Sequence, residues 1–132
     1  MTPTGGVVVA HANLAAALVE AAEGIAGIRG VLHPVSNDGL SPQELRTRVE
    51  APIGAGPAIV FTDLASGSCT FAGRAVGRGS GAVVVVTGVS LPMLLDFLFH
   101  RDLPPEELAR RVVDRAKAGA VVIAECGDDD GA

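Results

Sequence analysis

Two polar residues, each closing an apolar run, carry the chemistry this chain has to offer. The run GGVVVA ends on His11, and the run AIVFT ends on Asp63. A histidine held by a carboxylate at one ring nitrogen has its tautomer set, and its other nitrogen is free to serve as nucleophile or general base. Each residue also has a plainer use, the histidine as a hydrogen-bonded strand end and the aspartate as a helix cap. Directly after Asp63, the segment LASGSC supplies small residues whose backbone N–H groups can open a helix toward the same place, where a phosphate is favoured.

Other reactive side chains fit a structural part better. His33 is a further candidate ligand or base at the end of a second apolar run, but it precedes Pro34 in what reads as a loop entry. His100 closes a helix beside Arg101, where a cation suits the helix dipole. Cys69 could act as a nucleophile if a helix start stabilised its thiolate, although packing of a small residue accounts for it as well. Cys69 and Cys126 do not form a metal-ligand pair, and two distant thiols in a chain with no signal peptide read as reduced and cytoplasmic. GRGSG, residues 77–81, precedes a strand, whereas a dinucleotide-binding loop must follow one and open a helix. It is rejected as a phosphate loop, as are the glycines before the first valine run.

For His11 and Asp63 to meet, the elements that carry them must end on one rim. Short β-branched runs alternate with longer segments of helical periodicity, which predicts an α/β fold with an open, mostly parallel sheet of four strands and helices on both faces. Strands are expected near 6–10, 30–34, 58–62 and 82–87, apolar on both sides as parallel strands are. Helices are expected from Leu14 to about Ile25 with Asn13 as N-cap, after Ser41, from Gly67 or Ser68, after Ser90 and after Asp102. In SPQEL, Ser41, Pro42 and Glu44 make a complete capping box. The catalytic groups of such a sheet gather at the carboxyl ends of its strands. There lie His11, His33, Thr62 with Asp63, and Thr87 to Ser90, with His11 facing Asp63 if strands one and three are close neighbours. The last apolar run, AVVIA, is short enough for an edge strand, either within the chain or donated to a partner.

The chain has 132 residues, 48% of them hydrophobic, the size of one domain with a real core. Its formal charge is −5, part of it in the terminal GDDDGA, which reads as a solvated acidic tail over 124–132. No basic cluster interleaved with aromatics points to nucleic acid, and Trp and Tyr are absent. No apolar run reaches the roughly 20 residues of a membrane span.

Three segments together resemble the IIA domain of the mannose, fructose and sorbose class of the bacterial phosphotransferase system. VVVAHANLAAALVEAAEGIAG is similar to the family's first strand, active histidine and first helix. IVFTDLASGSCTFAGR is similar to its aspartate loop, TDLxGGSPFNAA, and VVTGVSLPMLLDFL to its GVNLPMLLE segment. The resemblance covers residues 6–122 and implies that residues 1–123 form the IIA domain. It further implies that His11 accepts a phosphoryl group from the phosphocarrier HPr and passes it to a IIB domain in sugar uptake, that Asp63 orients the ring, and that Gly67 and Ser68 bind phosphate. No metal or cofactor is implied, and a homodimer that exchanges its final strand is. Ala10 and Ala12 stand where the family usually has glycine, and Ser66, Cys69, Thr70 and Phe71 depart from its loop. Two alternatives share the fold: a catalytically silent or regulatory binding module, and the phosphoryl-transfer domain that serves dihydroxyacetone kinase. A small hydrolase using Asp63 or Cys69 has no motif of its own.

Overall fold

A computed structural model describes residues 2–79 and 82–124 of the chain. Among the described residues, β1 (Gly5–Ala10), β2 (Leu32–Ser36), β3 (Ala58–Thr62) and β4 (Val83–Val86) form one sheet in the order β2-β1-β3-β4, every neighbouring pair parallel. Helices α1 (Leu14–Ala26), α2 (Pro42–Glu50), α3 (Ser68–Arg78), α4 (Leu91–Phe99) and α5 (Pro105–Gly119) connect and follow them.

The alternation of side chains along a strand divides the core in two. Val8, Ala10, Ile59 and Phe61 face a cluster built with α1, α4 and α5. Val7, Val9, Ala58 and Val60 face the opposite cluster, with Leu45 and Val49 of α2 and Cys69, Ala72 and Val76 of α3. Both faces of β1 and β3 are therefore buried, as their unbroken apolar runs require. Phe61 and Phe97 meet edge to face with ring centroids 5.3 Å apart, fastening α4 onto the sheet.

Close packing extends to Gly6. A Cβ there would stand 2.7 Å from Cζ of Phe97 and 2.9 Å from Cδ2 of Leu32, far inside contact distance. Gly6→Ala is expected to destabilise the fold by about 1–3 kcal/mol through overpacking, read as a lower urea midpoint at unchanged m-value. A midpoint equal to wild type would show that this strand can shift away from α4.

The capping box of α2 forms as read: the Glu44 N–H donates to Ser41 Oγ at 3.1 Å, and the Ser41 N–H to Glu44 Oε1 at 2.8 Å. Gly27 closes α1 in the left-handed conformation, φ 73°. Asn13 takes the N-cap position of α1 but its side chain makes no capping bond. His100 is the C-cap of α4, its Nδ1 2.9 Å from the Asp96 carbonyl.

The second strand lies two residues later than expected, and includes Pro34. β2 is at the edge of the sheet, with β1 as its neighbour among the described residues, so a residue without an N–H is tolerated there. The run at 120–124 follows α5 and pairs with no strand among the described residues, with Val121, Val122 and Ile123 all exposed. Cys126 and the tail from 125 onward lie outside the described residues.

Candidate functional site

The order β2-β1-β3-β4 puts the first and third strands side by side, and their connections leave in opposite directions along the sheet, the arrangement that opens a crevice at the strand ends. His11 and Asp63 flank that point. His11 follows the buried Ala10 in a tight turn, where the Leu14 N–H donates to the His11 carbonyl at 3.1 Å. Ala12 completes the turn at φ 52°, the left-handed region, and is alone among the described non-glycine residues in adopting it. A side chain at such a position costs roughly 1–2 kcal/mol, so the turn that presents His11 is held against local preference by the packed elements on either side.

Asp63 receives His11 twice. Its Oδ2 accepts from the His11 backbone N–H at 2.9 Å and lies 2.7 Å from Nδ1, while Oδ1 accepts from the Leu64 N–H at 3.0 Å. Burial by itself would raise this carboxyl, but the hydrogen bonds from the His11 ring and backbone outweigh it and hold it below the usual carboxylate range. An ionised carboxylate only accepts, so Nδ1 carries the proton and the lone pair sits on Nε2. The Asp63 side chain is 10% exposed and that of His11 is 47% exposed: a fixed partner behind, a reachable ring in front.

The loop after Asp63 is tied down by two threonines. The Thr62 hydroxyl bonds the Thr70 hydroxyl, which in turn donates to the Leu64 carbonyl, both threonines being buried. This links the aspartate loop to the first turn of α3. Gly67 is the N-cap of α3 at φ 103°, and no side chain caps the helix, leaving its first N–H groups to an anion. Ser68 stands at that start and accepts from Asn37 Nδ2 at 3.2 Å.

Asn37 is the rim residue that sequence reasoning missed. Its backbone N–H donates to the Ala10 carbonyl at 3.2 Å, continuing the β1–β2 ladder beside His11, and its Oδ1 is buried with no hydrogen-bond partner among the described residues. The signal that could have found it is the true end of β2 at Ser36; ending the strand at Pro34 nominated His33 instead. His33 is exposed and paired with Val7, four residues short of His11, about 13 Å along the strand, so it is not a rim residue.

Cys69 is 1% exposed, with Sγ 3.9 Å from His11 Nδ1. Burial, with the nearby Asp63 charge, pushes its thiol up to about 11, which keeps it protonated and removes it as a nucleophile at neutral pH. Ser80 and Gly81 of GRGSG lie outside the described residues, and the part that is described, Gly77 to Gly79, ends α3 without forming an anion site.

Comparison with known proteins agrees with this architecture. A crystal structure of the phosphotransferase system component EIIA from Streptococcus agalactiae superposes with a TM-score of 0.83 at 22% identity, covering 90% of this chain and 96% of that one. The mannose/sorbose specific IIA subunit from Enterococcus faecalis gives 0.80 at 19%, covering 94% and 97%. The IIA protein associated with the fucose utilization operon of Streptococcus pneumoniae gives 0.66 at 20%, covering 86% and 93%. At these identities the likeness is one of fold. No curated protein matches the chain. The family model EIIA-man, the fructose IIA component of the phosphotransferase system, matches residues 5–113, a stretch that spans all four strands and both His11 and Asp63. With that match running through the whole sheet and its rim, the chain belongs to the mannose and fructose class of phosphotransferase system IIA components.

Proposed function

We propose that this protein is a phosphohistidine carrier, taking a phosphoryl group from an HPr-like phosphocarrier onto Nε2 of His11 and handing it to a IIB domain, in sugar uptake or its regulation. The observation that carries the reading is the 2.7 Å contact between Asp63 and His11 Nδ1, which leaves the nucleophilic lone pair on the outward nitrogen of a half-exposed ring. The lone pair forms the new N–P bond as the donor's N–P bond breaks, and the ring becomes positive with its Nδ1 proton still held by Asp63. The first N–H groups of α3 and the Ser68 hydroxyl take the phosphoryl oxygens, so that positioning and charge stabilisation do the work. The chemistry calls for no metal or cofactor. Incubation with enzyme I, HPr and phosphoenolpyruvate should yield an acid-labile, base-stable phosphoprotein; no label under those conditions would reject the carrier reading in favour of a silent binding module.

Asn37 supports Ser68 in this scheme. By donating to Oγ, its amide leaves the Ser68 proton free to point at the phosphoryl group. Asn37→Ala is expected to slow phosphoryl uptake roughly fivefold, the equivalent of one hydrogen bond of about 1 kcal/mol, with an unchanged melting temperature. Wild-type rates from rapid-quench labelling would remove Asn37 from the site.

The carrier works in this proposal as a cytoplasmic homodimer of domains spanning residues 1–123. No helix among the described residues is long and apolar enough to cross a membrane. A groove between β4 and α5, lined by Val85, Val86, Met93 and Val113, lies open beside Ala120, where the exposed apolar run begins. Exchange of that run with a second copy would cover both surfaces.

A further inference from the structure

The His11–Asp63 pair needs no sulfur to hold its tautomer, yet a thiol stands behind it. One ring nitrogen of His11, one carboxylate oxygen of Asp63 and Sγ of Cys69 all lie within 4.8 Å of one another. The closest separations are 2.7 Å from Nδ1 to Oδ2 and 3.9 Å from Sγ to Nδ1. Three donors of nitrogen, oxygen and sulfur type at this spacing are a zinc-like set, since a tetrahedral ion takes bonds of about 2.0–2.3 Å to each. A thiolate with an imidazole favours such an ion over magnesium or calcium, which prefer oxygen ligands alone. Seating the ion requires the ring to move off the carboxylate by roughly 0.6 Å, the difference between a hydrogen bond and two ligands of one tetrahedron. The half-exposed His11 side chain has the freedom to do so. The fourth position is left to water.

We propose that His11, Asp63 and Cys69 form a site for a zinc-like divalent cation, and that the occupied site switches phosphoryl acceptance off through the histidine tautomer. In the metal-free site the neutral ring carries its proton on Nδ1 and its lone pair on Nε2. A cation bound at Nδ1 takes the place of that proton, and a neutral imidazole so bound carries its proton on Nε2. The ring exchanges one nitrogen's proton for the other's with no net loss, while the Cys69 S–H proton goes to solvent. The nitrogen that would attack phosphorus then has no lone pair, and Asp63 is occupied as a ligand. Metal and phosphoryl group exclude one another without touching the same atom. The inhibitory half of this inference rests on the phosphocarrier reading; the binding half does not.

The experiment uses full-length protein carrying Cys126→Ser, so that Cys69 is the remaining thiol, and Cd²⁺ as the spectroscopic probe. One equivalent of Cd²⁺ should raise a thiolate-to-metal charge-transfer band that vanishes in Cys69→Ser. His11→Ala, which removes a direct ligand, should weaken binding by at least the roughly tenfold to hundredfold that loss of an outer-shell partner costs. Cys69→Ala repeats the test if serine perturbs the buried position. In the second arm, labelling from enzyme I, HPr and phosphoenolpyruvate is measured with and without Zn²⁺. The ratio of the two rates should fall roughly tenfold for the Cys126→Ser protein and stay near one for its Cys69→Ser derivative, which also controls for metal effects on the donor proteins. Absence of the band, or a band that ignores Cys69, overturns the site. A rate ratio that falls equally in both proteins overturns the switch. A protein that binds Cd²⁺ through Cys69 but takes no label without metal instead refutes the phosphocarrier reading and leaves the site standing.

Discussion

Replacing His11 by alanine is expected to abolish phosphoryl incorporation, leaving label at background when the variant is incubated with enzyme I, HPr and phosphoenolpyruvate. The loss should be complete because among the described residues the rim offers no second histidine. His33 sits within β2, paired with Val7, and the Cys69 thiol is buried and raised to about 11. The fold should survive the substitution. The His11 side chain is nearly half exposed, and its backbone N–H keeps its bond to Asp63 Oδ2 whatever side chain follows. A loss of about 1–2 kcal/mol is expected, because the Asp63 carboxylate, 10% exposed, loses the ring donor and keeps its backbone ones. An alanine variant that labels as well as wild type would place the phosphoryl group elsewhere and undo the proposed function.

Asp63 has the second-largest expected effect, and it separates two contributions that coincide in the native protein. Asp63→Ala removes the acceptor that holds the proton on Nδ1, and the rate of phosphoryl uptake should fall on the order of tenfold to a thousandfold while His11 still labels. The carboxylate also faces the positive charge that the ring acquires as the N–P bond forms. Asp63→Asn keeps an oxygen that can occupy the Oδ2 position and accept from both His11 donors, but its amide then meets the Leu64 N–H, donor against donor. The asparagine variant should therefore recover part of the rate lost by alanine, and the shortfall from wild type measures the charge. Single-turnover labelling of the two variants gives both numbers. Equal rates for Asp63→Ala and wild type would show that Asp63 does not orient the ring.

The reading of this chain from its residues went furthest where the forces are local. Periodicity, the Ser41 capping box and Gly27 after α1 are all interactions within a few residues, and they located the five helices and four strands to within about two residues. The miss at β2 has a specific cause. Pro34 reads as the end of a strand because it cannot donate to a ladder, but an edge strand has a neighbour on one side and can carry it on the other. That shift of two residues took His33 off the rim and put Asn37 on it.

The site shows the same division. His11 and Asp63 could be nominated as strand-end residues, and the resemblance assigned them roles, but their meeting depends on β1 and β3 being neighbours, which is a property of the sheet order. Cys69 shows the division most plainly. From sequence, Cys69 reads as a nucleophile if a helix start stabilises its thiolate, with small-residue packing the better account. Folding settles both its inertness and its interest: burial on α3 raises the thiol, and the closure of the rim brings its sulfur to 3.9 Å from the His11 ring. By itself the sequence determined the elements, their order along the chain, and which polar residues end them. Only the tertiary structure decided which of those ends stand together, because that depends on long-range burial of both sheet faces, to which no short stretch of sequence answers alone.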